Sequence, residues 1–373
     1  MTEPLPEPQQ RRLLSLDALR GFDMLWIIGA EDVVHQLARW KKTEWLESWA
    51  TQLSHVRWDG LRAYDLIFPL FMFLSGIALP FSFEGRLARG ESQKGVTVRK
   101  IIVRTLVLVI LGLIYNGLLS GRPGPPRLPS VLGQIGIAWG IAACVQLATR
   151  HAWQRIALAA GVIATITVLQ LLIPVPGYGA GQLTPTGAIN TWLDRALVPG
   201  RLHGGTFDPE GLLCIFSASS LTLAGAATGS FLKKAGTYNW RLCGGIAFGG
   251  GLSTALGALS WNLSYPPVKA LWTGTFDLLA IGISAILFSL FFGAIDVLRW
   301  QKWALPLRVI GVNSLTIYLL TALIDFEKPA QYLFGRLASA AGDAKGVVLA
   351  MAVVLIEWLL LGFLYRKRIF LRV

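Results

Sequence analysis

The chain has 373 residues, of which 54% are hydrophobic and only 15% are charged, and its mean hydropathy is +0.55. A soluble domain carries about 25% charged residues, so the composition excludes an ordinary soluble globular protein. Apolar runs near the ~20 residues that cross a bilayer recur along the chain, without the alternation of barrel strands. The sequence therefore predicts an all-α, polytopic membrane protein.

The apolar runs predict about ten transmembrane helices within one membrane domain that covers residues 1–373. The predicted spans are 15–38, 62–83, 101–119, 130–148, 154–173, 211–232, 241–260, 271–295, 306–325 and 346–365. Residues 1–13 are polar and lack the pattern of a cleavable signal peptide, so we expect a cytoplasmic tail there. The longest outer connections, 39–61 and 174–210, are expected to carry function, as long irregular segments in compact proteins usually do.

The basic residues are divided unevenly between the two sides of the predicted membrane domain. Nineteen Lys and Arg fall in one set of tails and connections, and eleven fall in the other. Because cytoplasmic segments are enriched in Lys and Arg, this bias predicts that both termini are cytoplasmic. The net charge of +13 follows mostly from the same bias and requires no nucleic-acid partner.

Charged residues within the first span form one candidate site. Asp17, Arg20 and Asp23 are three residues apart and share a helix face near the cytoplasmic end. One interpretation is a local ion-pair ladder that anchors the helix. The alternative is that Arg20, together with Arg104, faces a phosphate-bearing ligand.

Histidines and acids form a second candidate site at the outer ends of three predicted helices. They are Glu31, Asp32 and His35; His55, Asp59 and Asp65; and His203, Asp208 and Glu210. Asp65 lies one turn into an apolar helix, where a carboxylate is costly to insert, so we favour a function for it. Asp208 before Pro209 also fits a helix N-cap. A histidine beside buried acids is the usual set for activating an amine or hydroxyl.

Other chemistries have no support in the sequence. There is no H-E-x-x-H zinc motif, no G-x-S-x-G nucleophile motif, and no Walker A or Rossmann fingerprint. Cys144, Cys214 and Cys243 fall in predicted helices without motif spacing, so neither a disulfide nor a metal cluster is expected. His151 lies in a short cytoplasmic turn and is expected to be solvated.

Six segments occur in an order that resembles a known family. They are "SLDALRG", "HVRWDGLRAYDLIFPLFMF", "LLIPVPGYGAG", "FDPEGLL", "LWTGTFDL" and "GVNSLTIYL". From about Leu14 to the C-terminus, the chain resembles the membrane domain of heparan-alpha-glucosaminide N-acetyltransferase and its bacterial relatives, a family of transmembrane acyltransferases. The resemblance implies transfer of an acetyl group from cytosolic acetyl-CoA to the amino group of a terminal glucosamine across the membrane.

By motif position, the resemblance implies that His55 is the active-site histidine and Asp65 the intramembrane acid. The residues expected to contact the acceptor or the thioester are Glu31, Trp58, His203, Asp208, Glu210, Lys269, Trp272 and Asn313. Arg104 and Arg20 are expected to meet the phosphates of acetyl-CoA, and no metal is expected. Three residues depart from the family pattern and leave the acceptor sugar open. They are Glu31 for an asparagine, Gln134 for an arginine and Thr321 for a histidine.

These inferences predict an acetyl-CoA-dependent amino-sugar N-acetyltransferase. The extra N-terminal region of the lysosomal enzyme is not matched, so we expect a multi-pass protein of a bacterial inner membrane. Its expected partners are an amino-sugar or glycan acceptor and the lipid bilayer, while a homodimer, the acyl-chain preference and a ping-pong route stay open. The alternatives are a sugar permease of the N-acetylglucosamine type, in which the polar cluster only binds, and a structural membrane protein or assembly factor.

Overall fold

The structure is a computed structural model that describes residues 13–87, 94–118 and 125–371. The predicted tail up to residue 12 lies outside these ranges, as do five basic residues that entered the charge argument: Arg11, Arg12, Arg89, Arg122 and Arg372. The described residues form α-helices joined by loops and by short 3₁₀ and π-helical turns, with three isolated β-bridges and no strand among them. The all-α prediction is confirmed.

The described residues contain fifteen α-helices. In chain order, α1 is Leu14–Leu25, α2 Glu31–Lys41, α3 Glu44–Gln52, α4 Ile67–Leu87, α5 Lys94–Tyr115, α6 Val131–Ala148, α7 Ala152–Leu172, α8 Ile189–Leu197, α9 Leu212–Ala235, α10 Trp240–Asn262, α11 Gly274–Phe292, α12 Leu305–Val312, α13 Ser314–Leu323, α14 Glu327–Ala340 and α15 Lys345–Arg366.

Seven helical segments in the described part of the chain are long and apolar enough to cross a membrane. The bent pair α12 and α13 would make an eighth. This confirms a polytopic helical membrane protein. The predicted span 15–38 carries several charges, and α5, the helix that covers most of the predicted span 101–119, begins with Lys94, Arg99 and Lys100; both fall outside this set. The number of about ten spans and the cytoplasmic termini therefore stay predictions.

Two predicted spans are broken rather than continuous, which corrects the sequence prediction. A π-helical turn, Trp26–Ala30, separates α1 from α2, and Gly29 within it has φ 119°. Glycine lacks a Cβ and adopts this φ without strain, so it can carry the break. The predicted span 306–325 bends by 68° between α12 and α13, at Asn313. The first break directly precedes Glu31 and the second lies at Asn313, and both residues were predicted to contact substrate.

The predicted outer connections also contain structure that the sequence did not indicate. Helix α3 lies within 39–61 and helix α8 lies within 174–210. The aromatic face of α3 is exposed, with Trp45 and Trp49 one turn apart. Tryptophan at such a position is typical of the membrane–water interface.

The backbones of α1 and α12 meet at two glycines. A Cβ on Gly21 would collide with the carbonyl oxygen of Leu307, and a Cβ on Gly311 would collide with the carbonyl oxygen of Asp17. Small residues allow helices in lipid to approach closely and gain packing energy. This contact fixes the broken α12–α13 segment beside α1, and Asn313 at its break is buried.

Candidate active site

Two loops meet beside the start of α4 and hold the first half of the site. Asp59 forms a β-bridge with Val268, and the Gly60 N–H donates to the Pro267 carbonyl at 2.9 Å. This pairing connects the segment before α4 with the segment before α11. Lys269, which follows Val268 directly, is therefore held next to His55.

His55 and Asp65 form a hydrogen-bonded pair. The distance from His55 Nδ1 to Asp65 Oδ1 is 2.7 Å. The Asp65 side chain is 1% exposed, whereas the His55 side chain is 56% exposed. The second oxygen of Asp65 accepts from the backbone N–H of Arg62 at 3.2 Å and of Val56 at 3.4 Å. Asp65 is therefore fixed by backbone donors while His55 faces outward from it.

Lys269 completes a three-residue cluster. Its Nζ lies 3.5 Å from Asp65 Oδ1 and 3.3 Å from His55 Nδ1. The Nδ1 atom cannot donate its proton to Asp65 and accept one from Lys269 at the same time, and the shorter contact, to Asp65, decides the assignment. Lys269 then acts on the carboxylate as a nearby positive charge. Burial lowers the pKa of Lys269, and the charge of Asp65 opposes that shift.

The hydrogen bond to Asp65 selects one tautomer of His55. With the proton on Nδ1, the Nε2 atom carries the free lone pair. A histidine oriented in this way by a buried carboxylate can accept a proton at Nε2 from a bound amine or hydroxyl. The cluster thus has the arrangement that general-base or nucleophilic chemistry requires.

Tyr64 connects His55 with Glu31 of α2. The rings of Tyr64 and His55 are 4.8 Å apart, and the Tyr64 hydroxyl donates to Glu31 Oε1 at 3.4 Å. Glu31 is the first residue after the π-helical turn, so the break in the first span directs its carboxylate toward this part of the site. The sequence prediction placed Glu31 near the acceptor, and the structure brings it beside His55 through Tyr64.

A second cluster is built on Arg127, which the sequence prediction did not include. Arg127 donates through Nε and Nη2 to the two carboxylate oxygens of Asp208 at 2.8 and 2.7 Å, and Nη2 also contacts Glu210. Asp208 accepts further from the backbone N–H of His203 at 2.9 Å. His203 therefore joins the cluster through its backbone, while its side chain is exposed.

Backbone pairing positions Arg127. Arg127 forms a β-bridge with Gly200, and the Arg201 N–H donates to the Pro126 carbonyl at 3.2 Å. The short segment before α6 is thereby fixed to the connection that leads into α9. This places one arginine between two acids that lie two residues apart, just before α9 begins.

The second cluster contains more buried acid than its single arginine can neutralise. Burial opposes the charge of Arg127, but its hydrogen bonds to Asp208 and the charges of both acids outweigh this and raise its pKa. Burial raises the pKa of Glu210 to about 7, opposed by Arg127 and reinforced by Asp208. Burial also raises the pKa of Asp194 to about 6, although its carboxylate accepts from the Leu212 N–H at the start of α9. Glu210 can thus exchange a proton near neutrality.

An electrostatic interaction and an aromatic contact connect the two clusters. Lys269 of the first cluster interacts electrostatically with Glu210 of the second. Trp58 packs edge-to-face on Phe207, the residue before Asp208, with ring centroids 5.0 Å apart. The Trp58 indole N–H donates to the Leu183 carbonyl at 2.7 Å and so fixes the ring. Together the clusters form one polar region at the start of α4, α9 and α11.

The remaining two residues predicted to contact substrate lie deeper. Trp272 is 1% exposed and packs edge-to-face against Phe68 and Phe276. Its indole is thus a wall behind the polar region rather than part of its open surface. Asn313 lies at the break between α12 and α13 and is 2% exposed. Neither amide atom of Asn313 has a hydrogen-bond partner among the described residues.

A cavity of about 370 Å³ lies between α1, α4, α5, α6, α12 and α13. Arg20 and Arg104 line one end. The Arg104 guanidinium lies 4.0 Å from the ring centroid of Trp139, and Arg20 Nη2 donates to the Leu74 carbonyl at 3.3 Å. Both arginines that the sequence analysis proposed for phosphate binding therefore line the same cavity.

The other end of this cavity approaches the polar region. Phe68 and Tyr318 line that end. Phe68 is one helical turn after Asp65, and its ring packs on Trp272 at 5.7 Å. Tyr318 also interacts electrostatically with Glu210 and Arg127 of the second cluster. The cavity thus extends from the two arginines toward both clusters, with apolar side chains along most of its length.

Among residues 13–87, 94–118 and 125–371, no group of three or more His, Cys, Asp or Glu side chains has the geometry to hold a metal ion.

Comparison with known proteins identifies two relatives over most of the chain. In alignments 375 and 374 positions long, the chain is 27% identical to heparan-alpha-glucosaminide N-acetyltransferase of Homo sapiens and 22% identical to that of Mus musculus. Each alignment covers 86% of this chain and 56% of the relative, so the chain spans about half the length of these proteins. No protein-family model matches the chain. The resemblance predicted from the six segments is confirmed, and both relatives are remote.

Proposed function

Because the chain is a distant relative of the heparan-alpha-glucosaminide N-acetyltransferases, we propose that it is a membrane acetyltransferase. Its donor is acetyl-CoA, and its acceptor is the amino group of a glucosamine-like sugar. The observation that carries the proposal is the 2.7 Å contact between the half-exposed His55 and the buried Asp65. A transport site needs polar groups, but it has no need of a histidine whose tautomer is fixed by a buried acid.

His55 is the general base in this mechanism. Its Nε2 takes a proton from the acceptor amine as the amine nitrogen attacks the thioester carbonyl. The C–S bond then breaks, and the same proton is available for the departing CoA sulfur. Asp65 keeps Nδ1 protonated and stabilises the imidazolium that forms, and Lys269 limits the excess negative charge. Help of this kind contributes on the order of 10²–10⁴ in rate.

A transient acetyl-histidine is the alternative route through the same residue. In that case Nε2 attacks the thioester first, and the acceptor amine then attacks the acetyl-imidazole. Rapid denaturation at neutral pH of protein incubated with labelled acetyl-CoA and no acceptor, followed by immediate detection of the label, separates the routes, because acid would hydrolyse an acetyl-imidazole. Label on His55 supports the two-step route, and its absence at saturating donor supports direct transfer.

The cavity supports a donor path from the arginines to His55. Arg20 and Arg104 hold phosphate groups at one end, because guanidinium groups pair well with phosphate oxygens. The apolar walls suit the pantetheine arm, and a volume of about 370 Å³ fits part of the donor rather than all of it. Phe68 and Tyr318 then guide the thioester toward Asp65 and His55.

The two clusters support an acceptor site at the opposite end. Glu31 and Glu210 provide carboxylates for an ammonium or for sugar hydroxyls, and Trp58 offers a ring face for the sugar. The arginine-lined end lies on the side with more Lys and Arg, so we assign acetyl-CoA to the cytoplasm and the acceptor to the outer face. The corresponding location is the inner membrane of a bacterium.

An acetyl-transfer assay on the purified full chain tests the proposal. Labelled acetyl-CoA is supplied with glucosamine and a small panel of amino sugars, and wild type is compared with His55→Ala and with the exposed control His151→Ala. Transfer by wild type and by His151→Ala, with collapse in His55→Ala, supports the proposal. A folded protein that binds sugar but releases no CoA with any acceptor favours a sugar permease instead.

A further inference from the structure

A cleft on the lipid-facing side of the protein lies outside the site described above. Its volume is about 720 Å³, which is within the range of ligand-binding pockets. Helices α7, α9, α10 and α11 form its walls. Its lining is apolar except for Arg241, Thr228 and Ser253. None of these polar residues belongs to the two clusters or to the cavity beside them.

Small residues on α10 leave this cleft open. Gly245 and Gly249 are exposed, and a Cβ added to either would meet no atom within 4 Å. Only 17% of the α10 span is buried inside the protein, the smallest share among the seven candidate spans. Bilayer components therefore cover this face. Glycines at this spacing also suit a second helix, so other groups must decide the occupant.

Positive charge at the start of α10 decides between a helix and a lipid. Arg241 lines the cleft in the first turn of α10 and is exposed, and its side chain makes no hydrogen bond or ion pair with any described residue. Lys233 and Lys234, at the end of α9, are exposed on the same side of the membrane domain. The N-terminal backbone N–H groups of α10 add further positive potential there. An apolar helix would leave these cationic groups without a counter-charge, whereas the phosphodiester of a lipid would pair with them.

We propose that this cleft binds an anionic phospholipid. One acyl chain lies along Gly245 and Gly249, and the phosphate of the headgroup is held by Arg241 with Lys233 and Lys234 nearby. Basic pockets between transmembrane helices on the cytoplasmic side bind anionic headgroups for the same reason. The site does not depend on the proposed acetyl transfer, since it shares no residue with the arginine-lined cavity.

Lipid retention by the full chain tests this proposal. The protein is reconstituted in nanodiscs of phosphatidylcholine and phosphatidylglycerol with the same acyl chains, then extracted into detergent, and retained lipid is counted by mass spectrometry. Wild type is expected to retain phosphatidylglycerol in preference to phosphatidylcholine. In Arg241→Gln this preference is expected to fall on the order of fivefold, the contribution of one basic side chain near an anionic surface.

A matched pair of glycine variants tests the acyl-chain position. Gly249→Leu fills the cleft and is expected to lose both retained lipids. Gly251→Leu is the control, because Gly251 does not line the cleft and its added Cβ would also meet no atom within 4 Å. Because Arg241 is exposed, Arg241→Gln keeps the test decisive even where Gly249→Leu fails to fold.

Three outcomes would overturn the lipid site. In the first, wild type retains the two lipids equally. In the second, Arg241→Gln keeps the wild-type preference for phosphatidylglycerol, or a folded Gly249→Leu retains the wild-type amount of it. In the third, Gly249→Leu splits a dimer that Gly251→Leu preserves, with retained lipid unchanged, which would make a second copy of the chain the occupant.

Discussion

Asp65 and His55 meet at 2.7 Å with opposite exposures, the acid buried and the imidazole more than half exposed. The backbone N–H groups of Val56 and Arg62 hold the buried carboxylate in place. Asp65 therefore keeps its position while it orients the imidazole ring. The exposed ring keeps Nε2 toward the outside of the protein. The pair therefore combines a fixed orienting group with a reachable base, and this relationship determines the first prediction.

Asp65→Asn is expected to lower kcat for acetyl transfer by on the order of 10²–10⁴. The asparagine can donate its amide hydrogen to Nδ1 and so favour the tautomer that carries its proton on Nε2. That form has no lone pair at Nε2 with which to accept the proton of the amine. CoA release measured with a thiol reagent reports the rate, and a melting curve confirms folding.

Asp325→Asn is the control for this prediction. Asp325 is an exposed carboxylate that pairs with Lys328 at 3.4 Å, far from His55 in the sequence. Its replacement is expected to leave transfer unchanged. A folded Asp65→Asn protein that works within a few-fold of wild type would show that Asp65 does not orient the base.

Arg127→Met is expected to destabilise the protein by about 3–5 kcal/mol, because it leaves two buried carboxylates without their counter-charge. The loss is expected to be smaller at about pH 5 than at about pH 8, since the raised pKa of Glu210 lets this acid bind a proton over that range and so removes part of the uncompensated charge. Thermal unfolding in detergent at the two pH values measures this. An equal loss at both would mean that Arg127 acts by packing rather than by charge.

Glu210→Gln tests the raised pKa of Glu210. Burial raises that pKa from 4.5 to about 7, so the folded protein binds more protons than the unfolded chain between these values. Stability therefore falls as pH rises across this window and is lowest, for this group, above about pH 7. Glutamine cannot ionise, so the stability of Glu210→Gln relative to wild type is expected to increase from about pH 5 to about pH 8.

The exposed residue Glu327 provides the comparison for Glu210. Melting temperatures of Glu210→Gln, Glu327→Gln and wild type are measured across the same pH series. Glu327→Gln is expected to follow the wild-type curve. A Glu210→Gln curve that also runs parallel to wild type would contradict the buried, proton-binding state of Glu210.

The helical architecture was predictable because each span is a long apolar run, and the two breaks were not. Gly29 lies in "WIIGAED", where nothing local distinguishes it from a glycine inside a continuous helix. Its positive φ depends on how the π-helical turn packs against α15, where Val354 would contact an added Cβ at 3.4 Å. Asn313 likewise marks a break only because α12 and α13 pack in different directions.

The site was predictable where no structural role could offset the free-energy cost of placing a charged residue in the membrane. Asp65 stood out as an acid one turn inside an apolar helix, and His55 followed through its neighbouring motif. Lys269 was suggested only by the resemblance, because its contact with Asp65 depends on pairing between loops that are 204 positions apart (269 − 65) in the sequence. Arg127 was counted among ordinary outer basic residues. The signal that could have found it was the need of the buried pair Asp208 and Glu210 for a cation.

Gly311→Ala is expected to destabilise the protein by at least the ~1–3 kcal/mol that overpacking costs. The new methyl group would collide with the Asp17 carbonyl of α1, which is backbone and cannot rotate away. Gly362→Ala is the control, since its Cβ would meet no atom within 4 Å. Melting temperatures in detergent compare the two variants. Equal melting temperatures would mean that α1 and α12 are farther apart than the structure places them.

Arg104→Gln is expected to raise KM for acetyl-CoA with a smaller effect on kcat. The guanidinium lies at the far end of the cavity from His55, stacked on Trp139 at 4.0 Å, so its loss weakens donor binding rather than the chemical step. Arg104→Lys is expected to restore binding only in part, because an ammonium lacks the planar face and paired donors of the guanidinium.

A shorter donor isolates the contribution of the phosphates to this effect. Acetyl-pantetheine carries the thioester and the arm but lacks the phosphates of acetyl-CoA. If Arg104 binds phosphate, kcat/KM for acetyl-CoA falls in Arg104→Gln, whereas kcat/KM for acetyl-pantetheine changes little. An equal fall with both donors would mean that Arg104 shapes the cavity through its stacking on Trp139. In that case Arg104 would not bind the phosphates of the donor.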